Sequence, residues 1–317
     1  MDMNKEKPAV EIPFMFYNLI LAGFWTLRAA REPEMPFMVF LHIGLFFLLM
    51  GTARIEVGNR GPTRLLLRLL PYLMWVLAWS EIGWLHRLTL PLFHDGGIRA
   101  VDLALFGFHL NEELASFLPW AWVRNVMGLS YLSYYLLIVG PPLVLAVRRQ
   151  DGQLAHHTFG LMSTYLACFL FYLAMPVLGP RDLALAVGGA ATGVGGLFGP
   201  VINAFFEAGD SLGTAFPSSH CAGSVASALL VRRHFGRTAG RFALAWAGFI
   251  VVSTVYTNNH YTVDALAGVA LAIVILKVAI PSYSRLKAAK FRVVPDYREG
   301  DWKPSRGRRS VKKGGLT

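Results

Sequence analysis

The stretch HYTVDALAGVALAIVILKVAIP, residues 260–281, indicates the fold of this chain. After its first five residues it is apolar apart from Lys277, and it has about the 20 residues that a helix needs to cross a bilayer. Because hydrocarbon offers the backbone no hydrogen-bond partner, we expect this segment to be a helix. The stretch therefore predicts a helix that crosses a membrane and begins with ionisable side chains.

Five similar runs precede this stretch, at 65–86, 125–147, 157–178, 218–234 and 239–257, and two shorter apolar runs lie at 13–27 and 36–53. The chain of 317 residues is 55% hydrophobic and 15% charged, with a mean hydropathy of +0.47, which is too apolar for a soluble domain. The sequence predicts an all-α fold, a polytopic transmembrane helix bundle with six core spans and one or two additional N-terminal membrane helices. We divide it into N-terminal membrane segments at 1–64, a main transmembrane domain at 65–281 and a basic, disordered tail at 282–317.

The distribution of lysine and arginine predicts the orientation, because short loops rich in these residues stay in the cytoplasm. Arginine-rich loops alternate with loops poor in positive charge at 87–124, 179–217 and 258–259, which we expect to face outside. The tail from residue 282 has eleven Lys or Arg and three Asp or Glu, so it holds 11 − 3 = +8 of the formal net charge of +11. The arginines of the cytoplasmic loops are Arg54, Arg60, Arg64, Arg148, Arg149, Arg232, Arg233, Arg237 and Arg241.

A polybasic tail beside a membrane attracts anionic lipids, which we expect as its partners. No nucleic-acid-binding motif accompanies the charge, so we expect no nucleic-acid partner. The pattern predicts an integral protein of the plasma membrane with a cytoplasmic C-terminus.

Four ionisable side chains from three spans fall at the predicted extracytoplasmic level, where they can meet. Arg181 follows one span, His220 begins the next, and His260 with Asp264 begins the last. His260 and Asp264 are four residues apart on one helical face, so the carboxylate can orient the imidazole and stabilise its cation. The arrangement indicates His260 as a nucleophile toward phosphorus and His220 as the acid that protonates the leaving oxygen.

Three further groups at this level are suited to binding a phosphate. The sequence FPSSH at 216–220 predicts a turn into a helix in which Ser218 or Ser219 is the cap, and helix N-termini bind phosphate. The planar cation of Arg181 can bridge two phosphoryl oxygens. We expect Arg181, Ser218 and Ser219 to bind phosphate, and the arrangement requires no metal and no cofactor.

These residues resemble the type 2 phosphatidic acid phosphatase superfamily over about 102–281. The motifs of that superfamily end in an arginine, a Pro-Ser-x-His and a Ser-Arg-x5-His-x3-Asp. The corresponding segments here are Gly179-Pro180-Arg181, Pro217-Ser218-Ser219-His220 and Ser253-Thr254-x5-His260-x3-Asp264. The resemblance implies a lipid phosphatase or phosphotransferase that works through a phosphohistidine, with the catalytic domain at 65–281.

Within the superfamily, the runs at 102–107, 175–181 and 260–264 look most like the inositol phosphorylceramide synthase branch, which transfers phosphoryl-alcohol groups between lipids. Two positions depart from the phosphatase pattern, because Ala174 replaces a lysine and Thr254 replaces an arginine. A phosphomonoester carries nearly two charges and a diester one. The missing cations therefore favour a diester or diphosphate-ester donor.

The sequence leaves the acceptor open. We favour transfer of a phosphoryl-alcohol group from a lipid phosphate substrate to a lipid or polyol acceptor. With water as acceptor, the protein is a lipid phosphate or polyprenyl diphosphate phosphatase. A non-catalytic lipid transporter or scaffold is the second alternative, although transporters usually show internal repeats. Asp102 either orients a group of the site or caps the helix before Phe106, and we interpret His156 and His157 as cytoplasmic loop residues.

Overall fold

The predicted all-α fold is confirmed. The computed structural model describes residues 10–29, 36–52, 62–89, 92–188, 196–209 and 211–292, and within these ranges every regular element is a helix. In chain order the helices are α1 (Glu11–Ala29), α2 (Pro36–Thr52), α3 (Pro62–Thr89), α4 (Asp95–Phe106), α5 (Leu110–Phe117), α6 (Ala121–Leu132), α7 (Tyr134–Val147), α8 (Asp151–Ala174), α9 (Pro180–Ala186), α10 (Gly199–Gly209), α11 (Ser219–His234), α12 (Gly236–Tyr256) and α13 (Thr262–Arg292).

Several of these helices have the length and apolarity of membrane spans, which indicates an integral membrane protein. Four segments of the described chain meet both conditions: Ala121–Val147, which α6 and α7 form together, Asp151–Ala174, Gly236–Tyr256 and Thr262–Leu286. They coincide with four of the six predicted core spans. The apolar segments Glu11–Leu27 and Pro36–Gly51 are shorter and correspond to the two N-terminal runs.

The other two predicted core spans, 65–86 and 218–234, form α3 and α11. These two helices are not among the described segments that meet both conditions. Helix α11 has only 16 residues, and its buried positions are mainly serine, alanine, glycine and cysteine. It packs against α7, α8, α12 and α13, so protein rather than lipid surrounds much of it. A helix enclosed in this way does not need an apolar surface, and its small side chains let neighbouring helices approach closely.

A buried polar network joins the N-terminal helices to α3. The His42 imidazole on α2 lies 2.9 Å from Asn18 Oδ1 on α1 and 2.7 Å from Glu81 Oε1 on α3. The indole N–H of Trp25 donates to the same Glu81 oxygen at 3.3 Å. Because unpaired polar groups are costly in an apolar environment, these bonds hold α1 and α2 against one side of α3.

Helix α13 extends beyond the predicted end of the last span. The sequence predicts a span that stops at residue 281, but α13 continues to Arg292. The side chain of Tyr283 is buried in a cluster with Val10, Ala155 and Phe159, and this packing orders the first residues of the predicted tail. The rest of that tail, 293–317, lies outside the described residues.

The interpretation of His156 and His157 as loop residues is wrong. Helix α8 begins at Asp151, so both histidines lie in its first turns, where they are buried. The ring of His156 approaches His234 at the end of α11, with 3.1 Å between Nδ1 and Nε2. Because α8 packs against α11, α8 begins before the apolar run predicted at 157–178.

Within the described ranges, no group of three or more His, Cys, Asp or Glu side chains is arranged to hold a metal ion.

Gly268 is expected to be essential for the packing of α13 against the beginning of α11. A methyl group at this position would overlap the carbonyl oxygen of Ser218, which is backbone and cannot rotate away. We expect Gly268→Ala to lower the stability by about 1–3 kcal/mol, the usual cost of overpacking. Thermal unfolding followed with a thiol-reactive dye measures this, because Cys168 and Cys221 are free and buried.

Gly248 on α12 is the matched control, since a methyl group there meets no atom within 4 Å. We expect Gly248→Ala to be neutral or slightly stabilising. Equal midpoints for the wild type and Gly268→Ala would contradict the close packing of α13 against α11.

Candidate active site

Three turns that are distant along the chain meet at the end of the bundle predicted to be extracytoplasmic. The N–H of Val177 donates to Gly213 O at 3.3 Å, and the N–H of Ala215 donates to Val177 O at 2.9 Å. Gly179 has a φ of 86°, and a side chain there would press against the Cβ of Ala215 and the carbonyl oxygen of Asn259. The turns at 177–181, 213–217 and 258–261 are thus in contact.

His260 and Asp264 lie together, but their geometry differs from the predicted pairing along one helical face. Helix α13 begins at Thr262, so His260 precedes it, and Asp264 Oδ2 accepts the backbone N–H of Tyr261 at 2.9 Å. This is one half of a capping box, which turns the carboxylate back toward the preceding residues. The His260 Nδ1 to Asp264 Oδ2 distance is 3.7 Å, an ion-pair separation longer than a hydrogen bond. Both side chains are buried, with 6% and 0% exposure.

The second histidine of the site is held between aromatic rings. The His220 ring stacks on Tyr131 with a centroid distance of 5.0 Å and contacts Tyr134 at 4.4 Å. Its centroid lies 5.8 Å from that of His260. Because α6 and α7 supply the tyrosines and α11 supplies the histidine, the orientation of this imidazole depends on three helices.

Arg181 lies in the short helix α9, directly after the turn at Gly179. Its guanidinium carbon is 3.9 Å from the centroid of the Phe206 ring, which is a cation–π contact with α10. Its Nη1 is 3.4 Å from Asp182 Oδ1. Helix α10 therefore contributes to the site, since it provides the ring on which the cation rests.

One pocket contains both histidines and the arginine. About 430 Å³ of empty space lies within it, part of which is open to solvent. Of the described residues that line it, Arg181 alone is a lysine or arginine, and Asp182 alone is an acid. The lining residues are Trp79, Tyr131, Leu178, Arg181, Asp182, Phe206, Ser211, Thr214, Ala215, His220, Asn259 and His260.

The two serines that the sequence assigns to phosphate binding are not among the residues that line this pocket. Ser218 is the N-cap of α11, and its hydroxyl accepts the N–H of Cys221 at 3.3 Å. Ser219 follows it and is also buried. The predicted capping role of Ser218 is confirmed, and a direct contact of either serine with phosphate stays a prediction.

Two buried aspartates of α4 contact the turns of the site, and the sequence analysis missed the first of them. Asp95 binds both the turn before Arg181 and the Tyr261 hydroxyl. Asp102 Oδ1 accepts the backbone N–H of Val263 at 2.8 Å, in the first turn of α13. The alternative that Asp102 caps the helix before Phe106 is wrong, because that helix is α4, which begins at Asp95 and contains Asp102 in its interior. Their spacing of seven residues places both aspartates on one face of α4. This spacing can be read from the sequence and could have indicated that Asp95 faces the same side as Asp102.

The family model of the PAP2 superfamily matches residues 98–278, which is more than half of the chain. This is the superfamily that the three motifs resemble. No curated protein and no solved structure gives a match to this chain.

The ring of Phe206 is expected to strengthen anion binding by holding Arg181 in place. A cation–π contact is worth about 0.5–2 kcal/mol, so we expect Phe206→Ala to weaken the binding of orthovanadate by about 2- to 30-fold. Isothermal titration calorimetry on the purified protein measures the dissociation constant. Phe205→Ala is the control on the same helix, because that ring stacks on Tyr135 and does not line the pocket. An equal loss in both variants would contradict a specific role for Phe206.

Proposed function

This chain belongs to the PAP2 superfamily, and from that premise we propose that it transfers a phosphoryl-alcohol group between lipids through a phosphohistidine on His260. Membership supports the broader statement that it is a membrane phosphatase or phosphotransferase of lipid-like phosphoesters. The observation that carries the proposal is the pocket in which one guanidinium and two imidazoles come together. Two imidazoles supply a nucleophile and an acid, and the guanidinium supplies a charge that can bind a phosphoryl group.

In the first half-reaction, we assign the attack on phosphorus to His260. The carboxylate of Asp264 faces Nδ1, which leaves Nε2 as the nucleophile and stabilises the cation that forms. The new N–P bond forms as the bond between phosphorus and the lipid alcohol oxygen breaks. His220 protonates that departing oxygen, and Arg181 offsets the charge on the phosphoryl oxygens.

In the second half-reaction, the same groups act in reverse. The neutral His220 removes a proton from the acceptor hydroxyl, whose oxygen attacks phosphorus while the N–P bond breaks. Free His260 is regenerated and the phosphoryl-alcohol group is joined to the acceptor. With a lipid or polyol hydroxyl as acceptor the reaction is transfer, and with water it is hydrolysis.

The charges of the pocket favour a donor with a single negative charge on phosphorus. Arg181 supplies one positive charge, and Asp182 in the same lining supplies a negative one. Thr254 stands where the phosphatase pattern has an arginine, and its side chain is buried and donates to Val251 O at 2.8 Å. A monoester dianion would meet too little positive charge, and a diester monoanion needs less of it. This agrees with the resemblance to the inositol phosphorylceramide synthase branch.

The expected location follows from the loop charges. We place the pocket on the extracytoplasmic face of the plasma membrane, with the donor lipid entering from the outer leaflet and the C-terminus in the cytoplasm. The arginines at 148–149 and 232–241, at the opposite end of the bundle, support this orientation.

We expect His260→Ala to abolish turnover and to prevent formation of the phosphoenzyme, since no other group would replace the nucleophile. His220→Ala should slow turnover by about 10²- to 10⁴-fold, the usual contribution of a general acid. Incubation with a phosphorus-labelled donor, followed by acid-labile and base-stable labelling of the protein, measures both effects. His94→Ala is the control, because His94 is an exposed histidine outside the pocket lining. Full activity in His260→Ala would exclude the phosphohistidine.

The donor and acceptor can be assigned with labelled lipids. We expect a phosphodiester lipid to be used at least about 10-fold better than phosphatidic acid, because the pocket offers a single guanidinium. Addition of a polyol or ceramide-like acceptor should divert the label from water to the acceptor. Preference for the monoester would contradict the proposed donor, and free phosphate as the only product would establish a phosphatase. Binding of donor without turnover would favour a transporter or scaffold.

A further inference from the structure

We infer that Asp95 is a positioning residue that sets the distance between the phosphate-binding Arg181 and the nucleophilic His260. The inference rests on the proposed function and adds a residue to it. Asp95 lies three residues before the part of the chain that matches the family. The family motifs therefore do not assign it a role, and only the tertiary structure connects it to the site.

On one side, the Asp95 carboxylate holds the turn that carries Arg181. Its Oδ2 accepts the backbone N–H of Leu178 at 2.9 Å, and its Oδ1 accepts that of Gly179 at 2.9 Å. Gly179 is the N-cap of α9, so these bonds fix the start of the helix in which Arg181 is the second residue. Bidentate contact with two successive N–H groups restrains both the position and the direction of the turn.

On the other side, the same carboxylate holds the residue that follows the nucleophile. The Tyr261 hydroxyl donates to Asp95 Oδ1 at 3.1 Å. The Tyr261 side chain is fully buried, and burial together with the neighbouring Asp95 raises the pKa of its hydroxyl well above the ordinary value. The hydroxyl therefore stays protonated and remains a hydrogen-bond donor. Since Tyr261 directly follows His260, this bond restrains the turn that carries the imidazole.

Asp95 itself is held rigidly. It is the first residue of α4, where a negative charge is favoured by the helix dipole, and its side chain is only 4% exposed. The other end of α4 is also fixed, because Asp102 caps α13. One carboxylate on a rigid helix thus connects two turns that are 83 and 166 residues away along the chain.

An amide at this position would break the connection while keeping its size. Asn has one acceptor oxygen in place of two and adds two N–H donors, which would face the N–H groups of Leu178 and Gly179. The turns would then separate, and a displacement of about 1 Å between reacting groups can reduce a rate about 10²-fold.

The test uses the purified full-length chain with Asp95→Asn, Tyr261→Phe and the double variant. We expect Asp95→Asn to lower the single-turnover rate of phosphoenzyme formation about 10- to 100-fold at saturating donor, and to weaken orthovanadate binding by about 10-fold or more. Tyr261→Phe removes only one of the three bonds, so its loss should be smaller, about 3- to 10-fold. In the double variant, Tyr261→Phe should cost less than it does alone, because Asp95→Asn already disrupts the connection to which the hydroxyl contributes.

A stability control separates positioning from folding. Asn18→Ala removes a buried hydrogen-bonded side chain from α1, in the network with His42 and away from the pocket lining. We expect it to lower the thermal midpoint while leaving vanadate affinity within about 2-fold of the wild type. If Asp95→Asn does not fold, Tyr261→Phe tests the same connection through the loss of one hydroxyl.

The outcomes distinguish this inference from the proposed function. If the wild type turns over, His260→Ala does not, and Asp95→Asn stays within about 2-fold of the wild type, the positioning role is wrong and the function stands. Full additivity of Asp95→Asn and Tyr261→Phe would also overturn it. If the wild type forms no phosphoenzyme but binds vanadate in a manner that depends on Arg181 and Asp95, the positioning role stands and the phosphohistidine fails. Absence of both vanadate binding and turnover would overturn the two together.

Discussion

The hydrogen bonds that join the turns at 177–181, 213–217 and 258–261 are the interactions on which the arrangement of the site depends. Each candidate catalytic side chain lies on one of these turns or in the first turn of the helix that follows it. Strand-like bonds between Val177 and the 213–215 segment join the first two turns, and the Asp95 carboxylate joins the first to the third. The polar groups that shape the pocket are therefore mostly different from those that would perform the chemistry.

The helices beneath these turns can support this arrangement because small residues let them approach closely. Gly268 on α13 lies against the carbonyl oxygen of Ser218, and Gly223 on α11 lies against the Tyr165 hydroxyl. Helix–helix association in a bilayer gains little from the hydrophobic effect, so close packing and hydrogen bonds must supply the stability. The same small residues that make α11 a poor apolar span allow it to occupy a central position with His220 at its end.

The pocket combines one guanidinium and two imidazoles with aromatic walls. Arg181 rests on Phe206, and His220 rests on Tyr131 and Tyr134. Aromatic support fixes the direction of both groups without adding another charge. A site of this kind holds its ionisable groups in place before a ligand arrives.

The sequence by itself determined the class of fold and the identity of the arginine and the two histidines that meet. Apolar runs of spanning length predict helices because a bilayer leaves the backbone no other hydrogen-bond partners, and the spacing of Arg181, His220 and His260 indicates a phosphoryl site at one end of them. These are consequences of local pattern, which can be read along the chain.

The tertiary structure alone decided how the site is held. The contribution of Phe206 from α10 depends on a contact with Arg181 of another helix. The bonds from Asp95 to Gly179 and Tyr261 also join distant segments. No local pattern in a sequence specifies which N–H or ring a buried carboxylate or cation will meet, because that depends on how the helices pack.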